Sequence, residues 1–500
     1  MSTLLEHLSR WKPFTALVVG DFMLDEQVTG DAERLSPDAP VPILRVRSRS
    51  SNPGGAANVC LDLAALKGRV LAFGVVGDDA PGHTLRAALQ ARGIDATGVI
   101  TDSSRPTTLK QSLVGLAQGR HPQKMFRVDE ESREPLARGQ VDRLLAAFQV
   151  ALPSCDVVCI EDYAKGVVSP ELSRGVIEAS RRAGKPVFVD PARLDDYSRY
   201  RGASVLTPNR SEAEQASGLL TSEGPSDEHN ASLARALLEA TQAEAIVLTL
   251  DKQGALLLER GRPPVSAPTV ARQVYDVTGA GDVFLAALAA GRANEMSWID
   301  ATRLANAAAG LEVEVFGVQP IPLERVHHSL LMLESQSVGK LRTLDQLLVE
   351  VASRRSAGQS IVFTNGCFDV LHAGHVSLLD RAAREGDFLI VAINDDASVA
   401  RLKGPGRPIN PAGDRARVLG ALGSVGAVVF FGKDRAGHDT PTDLIEAVRP
   451  DVLVKGGDYT RDRVVGAEIV ERSGGRVVLV DVVPGRSSTA TIERIKSQGG

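Results

Sequence analysis

Along the first two-thirds of the chain, short runs of apolar and β-branched residues alternate with stretches in which apolar residues recur every three or four positions. The runs Ala16–Val19, Val70–Val76, Val157–Ile160, Val187–Val189, Ser204–Leu206, Ile246–Leu250 and Ala255–Leu258 predict strands. Ala56–Leu66, Gly82–Ala91, Glu171–Ala183, Ser232–Ala240 and Asp282–Ala290 predict helices. Such alternation implies a doubly wound α/β fold, with a mostly parallel sheet covered on both faces. Ile43–Arg47 and Leu109–Val128 carry β-prone residues with little helical period and predict a small antiparallel flap. The segment Gln319–Leu344 breaks the pattern with two prolines, adjacent histidines and the polar stretch Glu334–Lys340, and reads as a linker. The alternation then restarts. Ile361–Thr364, Phe388–Ile393, Ala427–Phe431, Val452–Val454 and Val477–Val482 predict strands, and His375–Arg384 and Asp414–Leu422 helices, of a smaller doubly wound domain. The expected division is residues 1–330, a linker and lead-in helix at 331–357, and residues 358–500.

Composition narrows this picture without redirecting it. Five hundred residues exceed one ordinary core. With 43% apolar and 24% charged residues, the chain has the balance of a globular protein. A net charge of −5 offers no basic face for nucleic acid. The N-terminus lacks the apolar core of a signal peptide, and the most apolar helical stretch, Val283–Ala290, is too short for a membrane span. The four cysteines, Cys60, Cys155, Cys159 and Cys367, have no metal-ligand spacing, so no structural metal is expected; a reducing cytoplasm is.

Two phosphate-handling motifs of different design follow. In Asp276-Val277-Thr278-Gly279-Ala280-Gly281-Asp282, small residues feed an apolar helix for which Gly291 is the expected C-terminal cap. The N–H groups of Gly279, Ala280 and Gly281 can approach an anion there, and Asp282 lies beside it to take a proton from a hydroxyl. Gly20-Asp21 ends the first strand, Gly54-Gly55 opens a helix that continues to Asn58, and Asn209-Arg210-Ser211-Glu212 follows another strand. In this order the motifs resemble the ribokinase-type sugar kinases. The resemblance implies Asp282 as catalytic base, Gly279–Gly281 as anion hole, and Asn209 and Glu212, with Arg210, Ser211 and Asp276 nearby, as the Mg²⁺–ATP site. It also implies sugar contacts from Asp21, Gly54, Gly55 and Asn58.

The second motif, Thr364-Asn365-Gly366-Cys367-Phe368-Asp369-Val370-Leu371-His372-Ala373-Gly374-His375, runs from strand to helix and puts two histidines on one side of a first turn. It resembles the H-x-G-H nucleotidyltransferases, of Rossmann-like fold, and the likeness extends to Lys403, Lys455, Ser488 and Thr489. By that resemblance His372 and His375 stabilise charge on the α-phosphate of a nucleotide, and Asn365, Phe368, Lys403, Lys455, Ser488 and Thr489 surround the nucleotide and its phosphates.

Together the halves resemble the bifunctional heptose 7-phosphate kinase/heptose 1-phosphate adenylyltransferases of lipopolysaccharide core synthesis. The resemblance implies two ATP-consuming steps, with a separate heptose bisphosphate phosphatase acting between them and sugar phosphates as the substrates. Lys110, Arg127, Lys165 and Arg193 are the candidate cations for the sugar's 7-phosphate. Edge strands of the flap are candidates for pairing in a homodimer. Nucleotide preference is not written in these motifs; a cytidylyl donor with another sugar or polyol phosphate is the alternative. The intact Asp282, Gly279–Gly281, His372 and His375 argue against one half being a non-catalytic sensor.

Overall fold

The computed structural model describes residues 3–116, 122–220, 226–269, 278–314, 319–456 and 460–480. The chain divides into two units, Met1–Val326 and His327–Gly500.

In the first unit a nine-stranded sheet runs in the order Val265–Ala267, Ala255–Glu259, Ala245–Thr249, Val205–Leu206, Val187–Asp190, Val157–Glu161, Phe14–Gly20, Gly68–Val76, Asp95–Thr101. Only the first two strands run antiparallel to their neighbours. The central strands are buried on both faces, which is why they read as unbroken apolar runs. Parallel register aligns Gly20 with Glu161 and Glu161 with Asp190, so the polar residues that end these strands form one row at the carboxyl edge of the sheet.

A four-stranded sheet forms the flap, in the order Pro42–Gly55, Phe22–Leu35, Thr108–Leu116, Gln123–Glu130. It is mixed rather than antiparallel, because Phe22–Leu35 pairs in parallel with Thr108–Leu116. A full excursion through the main sheet separates those two strands, and a crossover of that length permits parallel pairing. The tip of the first hairpin, residues 36–41, is largely exposed.

The helix Ala280–Ala293 is buried from Asp282 to Gly291. Gly291 lies inside it and is not its cap, since the helix ends at Asn294. A Cβ there would stand 3.2 Å from both Met296 Sδ and Ala301 Cβ, so glycine serves close packing against the helix Trp298–Glu312. The expected linker carries a helix, Leu323–Val338, within which the two units divide. Its prolines precede the first turn, where they do not interrupt a helix, and Val326, Leu330 and Leu331 are buried.

The second unit is an all-parallel sheet in the order Leu341–Arg342, Ala427–Phe431, Phe388–Asn394, Ile361–Gly366, Val452–Gly456, Arg476–Val480. An apolar cluster covers each face. The edge strand Leu341–Arg342 is too short to leave a pattern in the sequence. Among the described residues, no helix is long and apolar enough to cross a membrane.

Candidate active sites

The kinase-like site lies at the carboxyl edge of the first sheet. Gly279 takes a left-handed conformation (φ 87°) that turns the chain into the helix Ala280–Ala293, so the early N–H groups of that helix have no carbonyl of their own turn to bond. Asp282, in the first turn, is 4% exposed and both its oxygens are held: Asn58 Nδ2 donates to Oδ2 and the Tyr163 hydroxyl to Oδ1, each at 2.9 Å. Burial pushes its carboxyl up to about 6, against the pull of those two donors. Among the described residues, Asn58 Oδ1 is buried with no hydrogen-bond partner, an acceptor left for a ligand hydroxyl.

Asp21 does not face this space. Its carboxylate is 1% exposed and accepts the backbone N–H groups of Tyr163 (2.8 Å), Lys165 (3.1 Å) and Val167 (3.2 Å). Three donors arranged in a loop bind an anion strongly enough to draw the side chain inward, so Asp21 fastens the 163–167 loop. Asp25, on the flap strand, stands in the more open position, with Lys110, Arg127, Asp129 and Lys124 around it. A Cβ on Gly54 would lie 2.4 Å from Asp25 Oδ2, so glycine is what lets that carboxylate lie over the strand. Gly55 has φ 55° and begins the helix Ala56–Ala65.

The cation candidates separate. Arg127 forks onto Asp129 with two 2.8 Å bonds, Lys165 is paired with Glu131, and Arg193 binds Gln215 at 2.7 Å. Lys110 instead places Nζ 4.7 Å above the centre of the Tyr163 ring. Asn209 and Glu212 bond reciprocally as a capping box on the helix Arg210–Ser217. Arg210 ties that helix to Asn230 and Gln253, and Ser211 follows in the first turn. Asp276 lies outside the described residues.

Glu161 and Asp190 stand at facing ends of neighbouring strands, and burial drives both carboxyls well above their ordinary range. With Asp282 they offer three oxygens lying within 4.8 Å of one another, and among the described residues Glu161 Oε2 has no hydrogen-bond partner. Hard carboxylate donors of this kind fit the divalent cation that accompanies ATP. Nothing in the local sequence around Glu161, Asp190 or Tyr163 marks them, because strand register brings them together.

In the second unit His372 caps the helix Ala373–Ala383, and His375 lies in its first turn. Their rings stack at 3.8 Å between centroids. Burial, then the neighbouring His372, pushes His375 down to about 4, so it is neutral at pH 7. Phe368, with φ 45°, packs its ring 5.0 Å from that of His375 and is itself buried, bracing the histidine from behind. Lys455 Nζ reaches the carbonyl of Asn365 at 3.2 Å, and burial lowers its ammonium to about 8. Among the described residues, Asn365 Oδ1 is buried without a partner. Lys403 is exposed at the end of the helix Asp396–Lys403. Ser488 and Thr489 lie outside the described residues.

Two further residues hold this motif in shape. Asp369 accepts the N–H groups of Ile409 (2.6 Å) and Asn410 (3.0 Å) and pairs with Arg407. Arg415, 2% exposed, donates to the carbonyls of Cys367, Asn394 and Asn410 and to Asp396. Asp369 stands in the sequence motif and Arg415 lies well beyond it, and nothing in their spacing shows that they lock the 404–411 segment onto the strand ends.

One unit thus presents a carboxylate at a glycine-led helix start, and the other a stacked imidazole pair at a second helix start. The pfkB family of carbohydrate kinases matches residues 15–325, and the cytidylyltransferase-like family matches residues 363–493. Among solved structures, phosphofructokinase-2 from Escherichia coli in its tetrameric inhibited form shares the kinase fold at a TM-score of 0.52 and 17% identity, over 64% of this chain and 99% of that one. Ribokinase of Arabidopsis thaliana, complexed with ribose and ATP, does so at 0.50 and 22%, over 64% and 99%. The chain is a bifunctional transferase, a carbohydrate kinase joined to a nucleotidyltransferase.

Its full-length relatives are more specific. The bifunctional protein HldE of Gluconacetobacter diazotrophicus is 43% identical over 488 residues, covering 97% of this chain and 98% of that protein. HldE of Geobacter sulfurreducens is 43% identical, covering 96% and 95%, and HldE of Caulobacter vibrioides 42%, covering 99% and 100%. The chain belongs to the HldE family of bifunctional proteins.

Proposed function

We propose that the first unit phosphorylates O1 of D-glycero-β-D-manno-heptose 7-phosphate with ATP, and that the second joins heptose 1-phosphate to AMP from ATP, releasing pyrophosphate and ADP-heptose for lipopolysaccharide core synthesis. The observation that carries the kinase half is Asp282. It is a buried carboxylate held by two neutral donors, beside an orphaned acceptor on Asn58. Asp282 takes the proton of the attacking hydroxyl, and the helix start at Gly279–Gly281 faces the charge that grows on the transferred phosphoryl group. Glu161 and Asp190, beside Asp282, would hold the Mg²⁺ that accompanies ATP, which when bound would neutralise phosphate charge. Lys110 is the best-placed cation for the substrate, since Arg127 and Lys165 already carry carboxylate partners.

In the adenylyl half, neutral His375 and the stacked His372 donate hydrogen bonds to the α-phosphate as pyrophosphate leaves, with Lys455 supplying positive charge. A separate phosphatase removes the 7-phosphate between the steps. The enzyme works in the cytoplasm, as a homodimer formed through the flap. Phosphorus NMR of the purified chain with heptose 7-phosphate and ATP tests the first step. The second is tested with heptose 1-phosphate and either ATP or CTP; preference for CTP would replace the adenylyl assignment with the cytidylyl one.

A further inference from the structure

The loop that follows the strand Val157–Glu161 carries a tyrosine whose position is fixed from several directions. Its backbone N–H goes to Asp21 Oδ2 at 2.8 Å, and Asp21 also takes the N–H groups of Lys165 and Val167. Within the loop, Ala164 and Gly166 adopt positive φ (54° and 86°), and Arg105 reaches the carbonyl of Lys165 at 3.1 Å. Asp162, next to the tyrosine, is held by the Tyr200 hydroxyl at 2.7 Å and by Arg199. The Tyr163 ring lies under Lys110 Nζ, and its hydroxyl donates to Asp282 Oδ1 at 2.9 Å.

A carboxylate that accepts one hydrogen bond can still swing about its last torsion. One that accepts two, on different oxygens, cannot. Asn58 holds Oδ2 from the helix Ala56–Ala65, and Tyr163 holds Oδ1 from the loop after the strand Val157–Glu161. Two of the carboxylate's roughly four lone-pair directions are thereby used, and the rest stay open to a substrate hydroxyl. The phenol can only donate to an ionised partner, so it also selects the form of Asp282 that accepts a proton. Lys110 comes from the flap strand Thr108–Leu116, which makes the same ring a point where the flap meets the machinery of the base.

We propose that Tyr163 is a positioning residue for the kinase reaction: clamped by the Asp21-anchored loop and covered by Lys110 of the flap, it aims the Asp282 carboxylate at the substrate hydroxyl. This rests on the reading of Asp282 as the base. The role belongs to the transition state and not to substrate binding, so its loss falls on kcat.

The test compares Tyr163→Phe, Asp282→Asn and Lys110→Met in the full chain, with kinase kcat and both KM values measured separately and adenylyl transfer as the internal control of folding. Tyr163→Phe lowers kcat roughly 10- to 100-fold, as removal of one hydrogen bond to a charged group does, with either KM changed less than about threefold. Lys110→Met raises the sugar-phosphate KM and lowers kcat as well, because the ring loses its cover. If Asp282→Asn abolishes phosphorylation while Tyr163→Phe keeps wild-type kcat, or loses activity only through KM, the positioning role is wrong and the base stands. If Asp282→Asn keeps activity, the reading beneath it fails. Should Tyr163→Phe unfold the first unit, 3,5-difluorotyrosine at position 163 keeps the shape and alters the donor. Unchanged kcat there overturns the proposal, and changed kcat at constant KM supports it.

Discussion

Asp21→Asn separates what a buried charge costs from what it organises. In the folded chain the Asp21 carboxyl is raised from 3.8 to about 6, first by burial and then by Asp162, against three backbone donors that pull it down. A rise of about two units means that keeping the group ionised costs the fold about 3 kcal/mol. The sign follows: the stability attached to this group is fully present below pH 3.8 and is lost as pH rises through about 6. Asparagine escapes that loss. It keeps one oxygen for Tyr163 and Lys165 but turns an NH₂ toward the Val167 N–H, stranding a buried donor at about 1–3 kcal/mol. At pH 7.5 the two effects nearly cancel, so the variant unfolds within about 2 kcal/mol of wild type. The two tryptophans, Trp11 and Trp298, both lie in Met1–Val326, so urea unfolding followed by tryptophan fluorescence reads this unit alone. Relative to wild type, Asp21→Asn gains about 2.4 kcal/mol between pH 4 and pH 7. Its kinase kcat falls because the loop that carries Tyr163 is loosened, while adenylyl transfer is unchanged. A stability difference that does not vary with pH would refute the assignment of the buried charge. A full retention of kinase activity would refute the anchoring of the loop.

Two further outcomes follow from the same geometry. The Cε1 proton of His375, followed by NMR, titrates near 4 and not near 6.5, and the stability linked to it is present above 6.5 and lost as pH falls through about 4. A titration near 6.5 would mean that His375 is not buried against His372 in solution. Gly54→Ala puts a methyl 2.4 Å from Asp25 Oδ2 and 2.8 Å from its Cγ, so Asp25 must move by about an ångström. The sugar-phosphate KM then rises at least tenfold, with the KM for ATP in the kinase step nearly constant; equal changes in both would contradict the placement of Asp25.

The parts of the molecule that the sequence discloses are those built from consecutive residues. Thr278–Asp282 and Asn365–His375 each pass from turn or strand into helix within a few positions, so glycine spacing and the two-histidine repeat carry their own geometry. The strands of the main sheet were legible because burial on both faces makes them uniformly apolar. Phe22–Leu35 was not, since a half-exposed flap strand mixes Asp25, Glu26, Asp31 and Glu33 with its buried positions. Charge was the least legible property. Lys165 and Arg127 look like free cations until folding sets Glu131 and Asp129 against them. Asp21 looks like a sugar ligand until the loop after residue 162 closes on it. Glu161, Asp190 and Tyr163 acquire their setting only from parallel register and a loop clamp, which no local spacing records.

We propose that one polypeptide holds a carboxylate-driven phosphoryl-transfer centre and an imidazole-based nucleotidyl-transfer centre that work separately. Asp282→Asn and His375→Ala in the full chain, each assayed for sugar phosphorylation and pyrophosphate release, test this most directly. Asp282→Asn loses phosphorylation by roughly 10²–10⁴-fold and keeps pyrophosphate release, and His375→Ala shows the reverse. Comparable loss of both reactions from either substitution, in a chain that still unfolds cooperatively, would contradict it.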